Sequence, residues 1–161
     1  MTELPPSAAD LRHLRHAIRL ADRCPRSDTA FSVGAVIVAA DGKTLATGYS
    51  RESDPHEHAE EAALRKITSG AAELSDATLY SSLEPCSSRA SRPRSCARHI
   101  LDAGIGRIVF AWREPDLFVD CQGAETLRSA GREVIEVPEL VAAAKAANAH
   151  LPGIGPGKAE R

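Results

Sequence analysis

The chain has 161 residues, 43% hydrophobic and only 4% aromatic, so one domain with a core of Val, Ile, Leu and Ala is expected. Its net charge of −2 and pI near 6.3 exclude an overall basic field for gathering long nucleic acid, though not a local basic patch. No stretch approaches a membrane span and the first ten residues lack a basic-then-apolar leader, so a cytoplasmic protein with no membrane partner is expected, its four cysteines serving metals or the core in reducing surroundings.

Residues 1–7 and 152–161, rich in Pro, Gly and charge, read as loose ends of a single domain spanning 1–161 with a core of about 8–149. Ser7 or Asp10 is placed to cap a first helix to about Arg23, with Leu11, Leu14, Ile18 and Leu20 on its apolar face. Phe31 to Ala39 is a β-branched apolar run, and the turn signal Asp41-Gly42 leads into a second strand from about Thr44 to Ser50, making a hairpin. A helix is predicted from Glu57 to Ser69, with Ala62, Ala63, Leu64 and Ile67 inward, and a third strand from Thr78 to Leu83. A Ser- and Arg-rich loop follows, then a helix from about Ser95 to Ala103 ended by Gly104 and Gly106, and a fourth strand, Arg107 to Trp112. A helix over about 124–130, a strand over 133–137 and a last helix over about 139–148 complete the chain.

The link between the fourth and fifth strands is about 20 residues with a helix in its middle, which suits a parallel crossover and is too long for a hairpin. The predicted fold class is therefore α/β: a three-layer α/β/α arrangement with a five-stranded mixed sheet, antiparallel at its opening hairpin and parallel at its fourth and fifth strands. In such sheets a ligand sits beyond the carboxyl ends of the strands, here the third and fourth.

Three metal-ligand types and one carboxylate fall at that end. His58-Ala59-Glu60 opens the second helix, Glu84-Pro85-Cys86 follows the third strand, and Cys96 opens the next helix. One His and two Cys suit Zn2+ with an open fourth tetrahedral position, the arrangement of a catalytic rather than a structural site. Two thiolates balance the metal charge, helix N-termini favour the anionic groups, and Glu60, which is not a ligand on this reading, is left to move protons. Cys86 and Cys96 are ten positions apart, which on one helix means roughly 15 Å, whereas thiolates sharing a zinc lie within about 4 Å. The serines and Pro93 between them favour a segment that loops out instead.

With these residues in order, the sequence resembles the zinc-dependent cytidine deaminase superfamily, whose pattern is H-x-E followed by P-C-x-x-C. Here nine residues rather than two separate the cysteines, and the stretches LATGYSRE (45–52), HAEEAALRK (58–66), LYSSLEPCSSRAS (79–91) and REPDLFV (113–119) are similar to the fungal-type riboflavin-pathway deaminases of a phosphorylated ribitylamino-pyrimidine. The resemblance implies a cytidine-deaminase-like fold, His58, Cys86 and Cys96 as zinc ligands, Glu60 as proton shuttle, and a homodimer. It also matches Ser87, Arg89 and Ser91 to the family's Cys-Ser-x-Arg-x-Ser pattern. Arg89, Ser87, Ser32 and Glu52 are the candidate substrate-binding residues, Arg89 as a phosphate clamp with Arg92 and Arg94 crowding the same loop. Two departures bear on substrate fit: Arg92 stands where the family has Gly, and Ser95 where it has Pro. The lone Asn148, near the C-terminus, leaves no asparagine where nucleoside deaminases hold the sugar.

Other residues carry two readings each. His56 and His99 are read as neighbours of the site or surface groups rather than ligands, Cys24 and Cys121 as free thiols, and Trp112, Glu114, Asp116 and Phe118 as either a pocket wall or ordinary packing. The leading expectation is a zinc hydrolase removing an amine from a phosphorylated ribosylamino- or ribitylamino-pyrimidine. A deaminase of another free base, nucleoside or nucleotide is the alternative. The acidic balance and the long Cys–Cys insert argue against tRNA editing, and Glu60 argues against a non-catalytic zinc protein.

Overall fold

The computed structural model describes residues 5–67, 71–87, 94–113, 115 and 122–154. Among these residues, five α-helices and five strands follow in the order α1 (Ala8–Leu20), β1 (Gly34–Val38), β2 (Thr44–Tyr49), α2 (Ala59–Arg65), β3 (Thr78–Leu83), α3 (Cys96–Ala103), β4 (Arg107–Trp112), α4 (Gly123–Ser129), β5 (Glu133–Glu136) and α5 (Val141–Ala146). Both candidate caps of the first helix act together. The Ser7 hydroxyl accepts the Asp10 N–H at 3.0 Å, and the Asp10 carboxylate accepts the Ser7 N–H at 2.9 Å, a capping box.

The strands form one sheet in the order β2-β1-β3-β4-β5. β1 pairs antiparallel with β2 and β3, while β3–β4 and β4–β5 are parallel, the second as the crossover length predicts. β1 alone runs against its fellows. Its first residue, Gly34, therefore lies opposite Tyr49, at the sheet end where β3 and β4 finish as Leu83 opposite Trp112. Every strand position of β1 and β3 is buried, because helices cover both faces.

Two glycines set how closely those helices approach. A Cβ on Gly34 would fall 1.9 Å from the Ala17 carbonyl oxygen, so this face of β1 lies directly under α1. A Cβ on Gly48 would fall 2.5 Å from both the Ala59 oxygen and the Ala63 nitrogen, so α2 lies on the opposite face. Tyr80, paired with Val36 on the α1 side, donates its hydroxyl to Asp10 at 2.7 Å, and Arg107 of β4 takes the same carboxylate with both Nη atoms at 2.7 Å. Arg107 also contacts Glu133. Burial works against an ionised Asp10, but its hydrogen bonds from Arg107, Ser7 and Tyr80 outweigh that and hold the carboxyl well below the usual carboxylate range.

Helix ends depart from the sequence expectation. α2 stops at Arg65 because Lys66 and Ile67 close a tighter turn onto Ala63 and Leu64. The last helix begins as a 3₁₀ turn at Pro138–Leu140 and becomes α-helical only from Val141.

Candidate active site

The site forms where three segments reach the carboxyl end of the sheet. His58 is the extended N-cap of α2, and its main-chain N–H donates to the Glu61 carboxylate at 3.0 Å, so α2 fixes the residue from within its own first turn. Cys86 follows β3, whose Glu84 N–H continues the ladder to the Trp112 oxygen at 2.8 Å. Cys96 opens α3, capped by Ser95, whose hydroxyl accepts the Arg98 N–H at 3.1 Å.

These elements bring His58, Cys86 and Cys96 together, with their ligand-type atoms all within 4.8 Å of one another. His58 Nδ1 lies 3.1 Å from Cys96 Sγ and 3.7 Å from Cys86 Sγ. The ten-residue separation of the cysteines is bridged at its ends: the Ala97 N–H donates to the Cys86 oxygen at 2.9 Å, and the Cys96 N–H to Cys86 Sγ at 3.2 Å. Both cysteines are buried and His58 is half-buried. The Cys96 side chain is the main influence lowering the Cys86 thiol below its ordinary range, with His58 and the Cys96 N–H adding to it against burial. One imidazole nitrogen and two thiols, the Cys86 thiol acidified, drawn together within 4.8 Å fit Zn2+. Glu60 is buried in the first turn of α2, 4% exposed.

The Glu-Pro-Cys segment is anchored from the side by α4. Glu84, 2% exposed, accepts the Ala124 N–H at 2.9 Å and lies 3.8 Å from Arg113. The Ser87 hydroxyl accepts the Gln122 N–H at 2.9 Å, which makes it a tie between the cysteine loop and the start of α4. Sequence reasoning passed over Glu84; a carboxylate directly before Pro-Cys, where the chain leaves a buried strand, was the available signal.

Ser32 is 4% exposed, just before β1; its hydroxyl accepts from Arg51 Nη2 at 2.9 Å, and its N–H donates to Asn148 Oδ1 at 2.6 Å. Glu52 Oε2 pairs with Lys66 Nζ at 2.6 Å, and Lys66 also donates to the Thr47 oxygen of β2. The buried Oε1 of Glu52 has no hydrogen-bond partner among the described residues. Arg89, Ser91, Arg92, Glu114, Asp116, Phe118 and Cys121 lie outside the described residues. Arg94 pairs with Asp102 at 3.3 Å.

Among the residues with two readings, His56 is exposed and its N–H donates to Asp54 at 2.7 Å, whereas His99 on α3 faces Glu61. Trp112 meets Phe31 edge-on at 5.4 Å between centroids, and Lys145 Nζ lies 5.8 Å from its ring centre. Cys24 donates to the Val33 oxygen, and burial pushes its thiol up. None of the described helices is long and apolar enough to cross a membrane.

Known proteins align with this geometry. The sequence profile of the cytidine and deoxycytidylate deaminase zinc-binding region matches residues 7–112. The chain is 40% identical over 146 residues to the diaminohydroxyphosphoribosylamino-pyrimidine deaminase of Schizosaccharomyces pombe, covering 84% of this chain and 36% of that protein. It spans about a third of the length of that protein and of the Actinobacillus pleuropneumoniae riboflavin biosynthesis protein RibD. Acinetobacter baumannii RibD superposes with a TM-score of 0.75 at 31% identity, over 92% of this chain and 40% of that one. The Rib2 deaminase of Aspergillus oryzae, solved in complex with DARIPP, shares the fold with a TM-score of 0.77 at 24% identity, over 91% and 94% of the two chains. The profile runs from the capping serine of α1 to the end of β4 and encloses His58, Cys86 and Cys96, so the chain belongs to the zinc-binding cytidine and deoxycytidylate deaminase family.

Proposed function

We propose that the protein is a hydrolytic deaminase of a pyrimidine carrying an exocyclic amine and a phosphorylated ribosylamino or ribitylamino group. The observation that carries the reading is Glu60. It is a buried carboxylate two residues after His58, on the helix whose N-cap faces both cysteines. A purely structural zinc site gains nothing from such a group.

Zn2+ held by His58, Cys86 and Cys96 supplies the polarisation that brings a water's pKa toward neutrality. Glu60 takes the proton of the attacking water and delivers it to the ring nitrogen. A second transfer through the same carboxylate sends the amine out as ammonia and leaves a carbonyl. Arg89 is assigned to the substrate phosphate, since a guanidinium fork matches its oxygens. The substrate class is supported by the named activity of the Schizosaccharomyces pombe relative. The assembly is read as a homodimer, which light scattering at known protein concentration tests.

Ammonia release decides the substrate. The zinc-loaded protein is expected to turn over the phosphorylated ribosylamino- or ribitylamino-pyrimidine in preference to its dephosphorylated form, cytosine and deoxycytidylate. Preference for either of the last two moves the reading to free-base or nucleotide deamination.

A further inference from the structure

Asn148 is the sole asparagine of the chain and lies beyond residue 112, where the family match ends. It is 1% exposed, and its amide grips Ser32 from two sides. The Ser32 N–H donates to Oδ1 at 2.6 Å, and Nδ2 donates to the Ser32 oxygen at 3.0 Å. Two residues on, His150 Nε2 lies 2.7 Å from the Ser27 oxygen, so the turn after α5 holds the segment before β1 at two points.

Arg51 continues the linkage. It donates to the Ser32 hydroxyl at 2.9 Å, to the Phe31 oxygen at 3.0 Å and twice to the Pro25 oxygen. Its backbone sits at φ 60, an uncommon position for a residue with a side chain. Its N–H donates to the Glu57 oxygen at 2.7 Å, and Glu57 precedes His58. An unbroken path of hydrogen bonds and chain thus runs from Asn148 through Ser32, Arg51 and Glu57 to His58.

Ser32 is where this path meets the site end of the sheet, two residues before Gly34. A guanidinium only donates, so the Ser32 hydroxyl accepts from Arg51 and keeps its own proton to give. That proton has no acceptor among the described residues, although the side chain is buried. Buried donors are normally satisfied, and a substrate oxygen or ring nitrogen is the acceptor this one lacks.

We propose that Asn148 is a positioning residue: through its two-sided hold on Ser32, reinforced by Arg51, it aims the Ser32 hydroxyl at the substrate and so governs KM rather than the chemical step. The proposal rests on the deaminase reading above and names a specificity element outside the matched family segment.

Two measurements test it. In steady-state kinetics on the pyrimidine that wild type deaminates, Ser32→Ala is expected to raise KM about 2- to 12-fold, the worth of one hydrogen bond, with kcat within about twofold. Asn148→Leu is expected to raise KM at least as far, and the double variant no further, because both remove the same contact. Amide hydrogen exchange reads the linkage without turnover: Asn148→Leu should quicken exchange in both 27–33 and 50–58 and leave 96–112 unchanged. Unchanged KM in both single variants, or faster exchange confined to 27–33, overturns the proposal and makes Asn148 a staple of the fold. Should Asn148→Leu not fold, Asn148→Asp keeps the acceptor for the Ser32 N–H, and the Ser32→Ala result still decides. Absence of any deamination by wild type sinks the proposed function, while the exchange result judges the linkage on its own.

Discussion

Glu61 Oε2 on α2 lies 3.7 Å from His99 Nε2 on α3, so a carboxylate and an imidazole face each other between the helix that begins at His58 and the helix that begins at Cys96. The other Glu61 oxygen accepts the His58 N–H. Groups behind metal ligands typically change affinity 10- to 100-fold when removed. Glu61→Ala is accordingly expected to speed zinc loss to a chelator by about that factor, and His99→Ala by less, since the His58 cap survives. Equal zinc retention in Glu61→Ala and wild type would show that the ligands hold their places unaided.

One zinc per chain is expected after zinc-supplemented expression, by elemental analysis. Cys96→Ser should lose the metal and lower the melting temperature together, because binding and local folding are coupled. Less than half an equivalent in wild type contradicts the assignment.

Glu60→Gln is expected to keep zinc and the fold while turnover falls by about 10² to 10⁴, the usual worth of general acid–base catalysis. Turnover within tenfold of wild type would assign the proton transfers to another group.

Gly48→Ala should act on the site through packing. Its added methyl would sit 2.5 Å from main-chain atoms of Ala59 and Ala63, which no rotamer change relieves. A cost of about 1–3 kcal/mol is expected from such overpacking. Weaker zinc retention should accompany it, because α2 carries His58 and Glu60. A melting temperature and metal content matching wild type would mean that α2 shifts freely.

The Asp10 pair gives a pH prediction whose sign is fixed. Its carboxyl is held below its unfolded pKa of about 3.9, so its contribution is complete above that value and is lost as pH falls through and below it. Asp10→Asn should cost about 3 kcal/mol at neutral pH, since it leaves Arg107 facing a neutral amide, and should flatten the acid limb of the stability profile. Urea unfolding at pH 7 and pH 3.5 measures both.

Much of this was legible in the sequence because the relevant signals are local. The strands over 78–83 and 107–112 are apolar runs bounded by turn residues, and their observed limits coincide with the reading. His58, Cys86 and Cys96 were recognisable because ligand chemistry restricts residue type so tightly. Asn148 and Arg51 were not, since their roles depend on partners far away in the chain or on one backbone angle. Asn148 meets Ser32 across 116 positions, which no periodicity encodes. A single amide just past an alanine-rich last helix is its only trace. Glu52 is similar: that one of its oxygens would pair with Lys66, fourteen positions on, has no local signal.

The hydrogen bond from Ala97 N–H to the Cys86 oxygen closes the ring of chain between the two cysteines. Once its ends are fixed, the entropic cost of lengthening a ring grows only as the logarithm of its size, about 0.6 kcal/mol per doubling. Residues inserted between the cysteines therefore add little to the cost of bringing the two thiols together. Such an arrangement lets the number of residues between two metal ligands change without moving either of them.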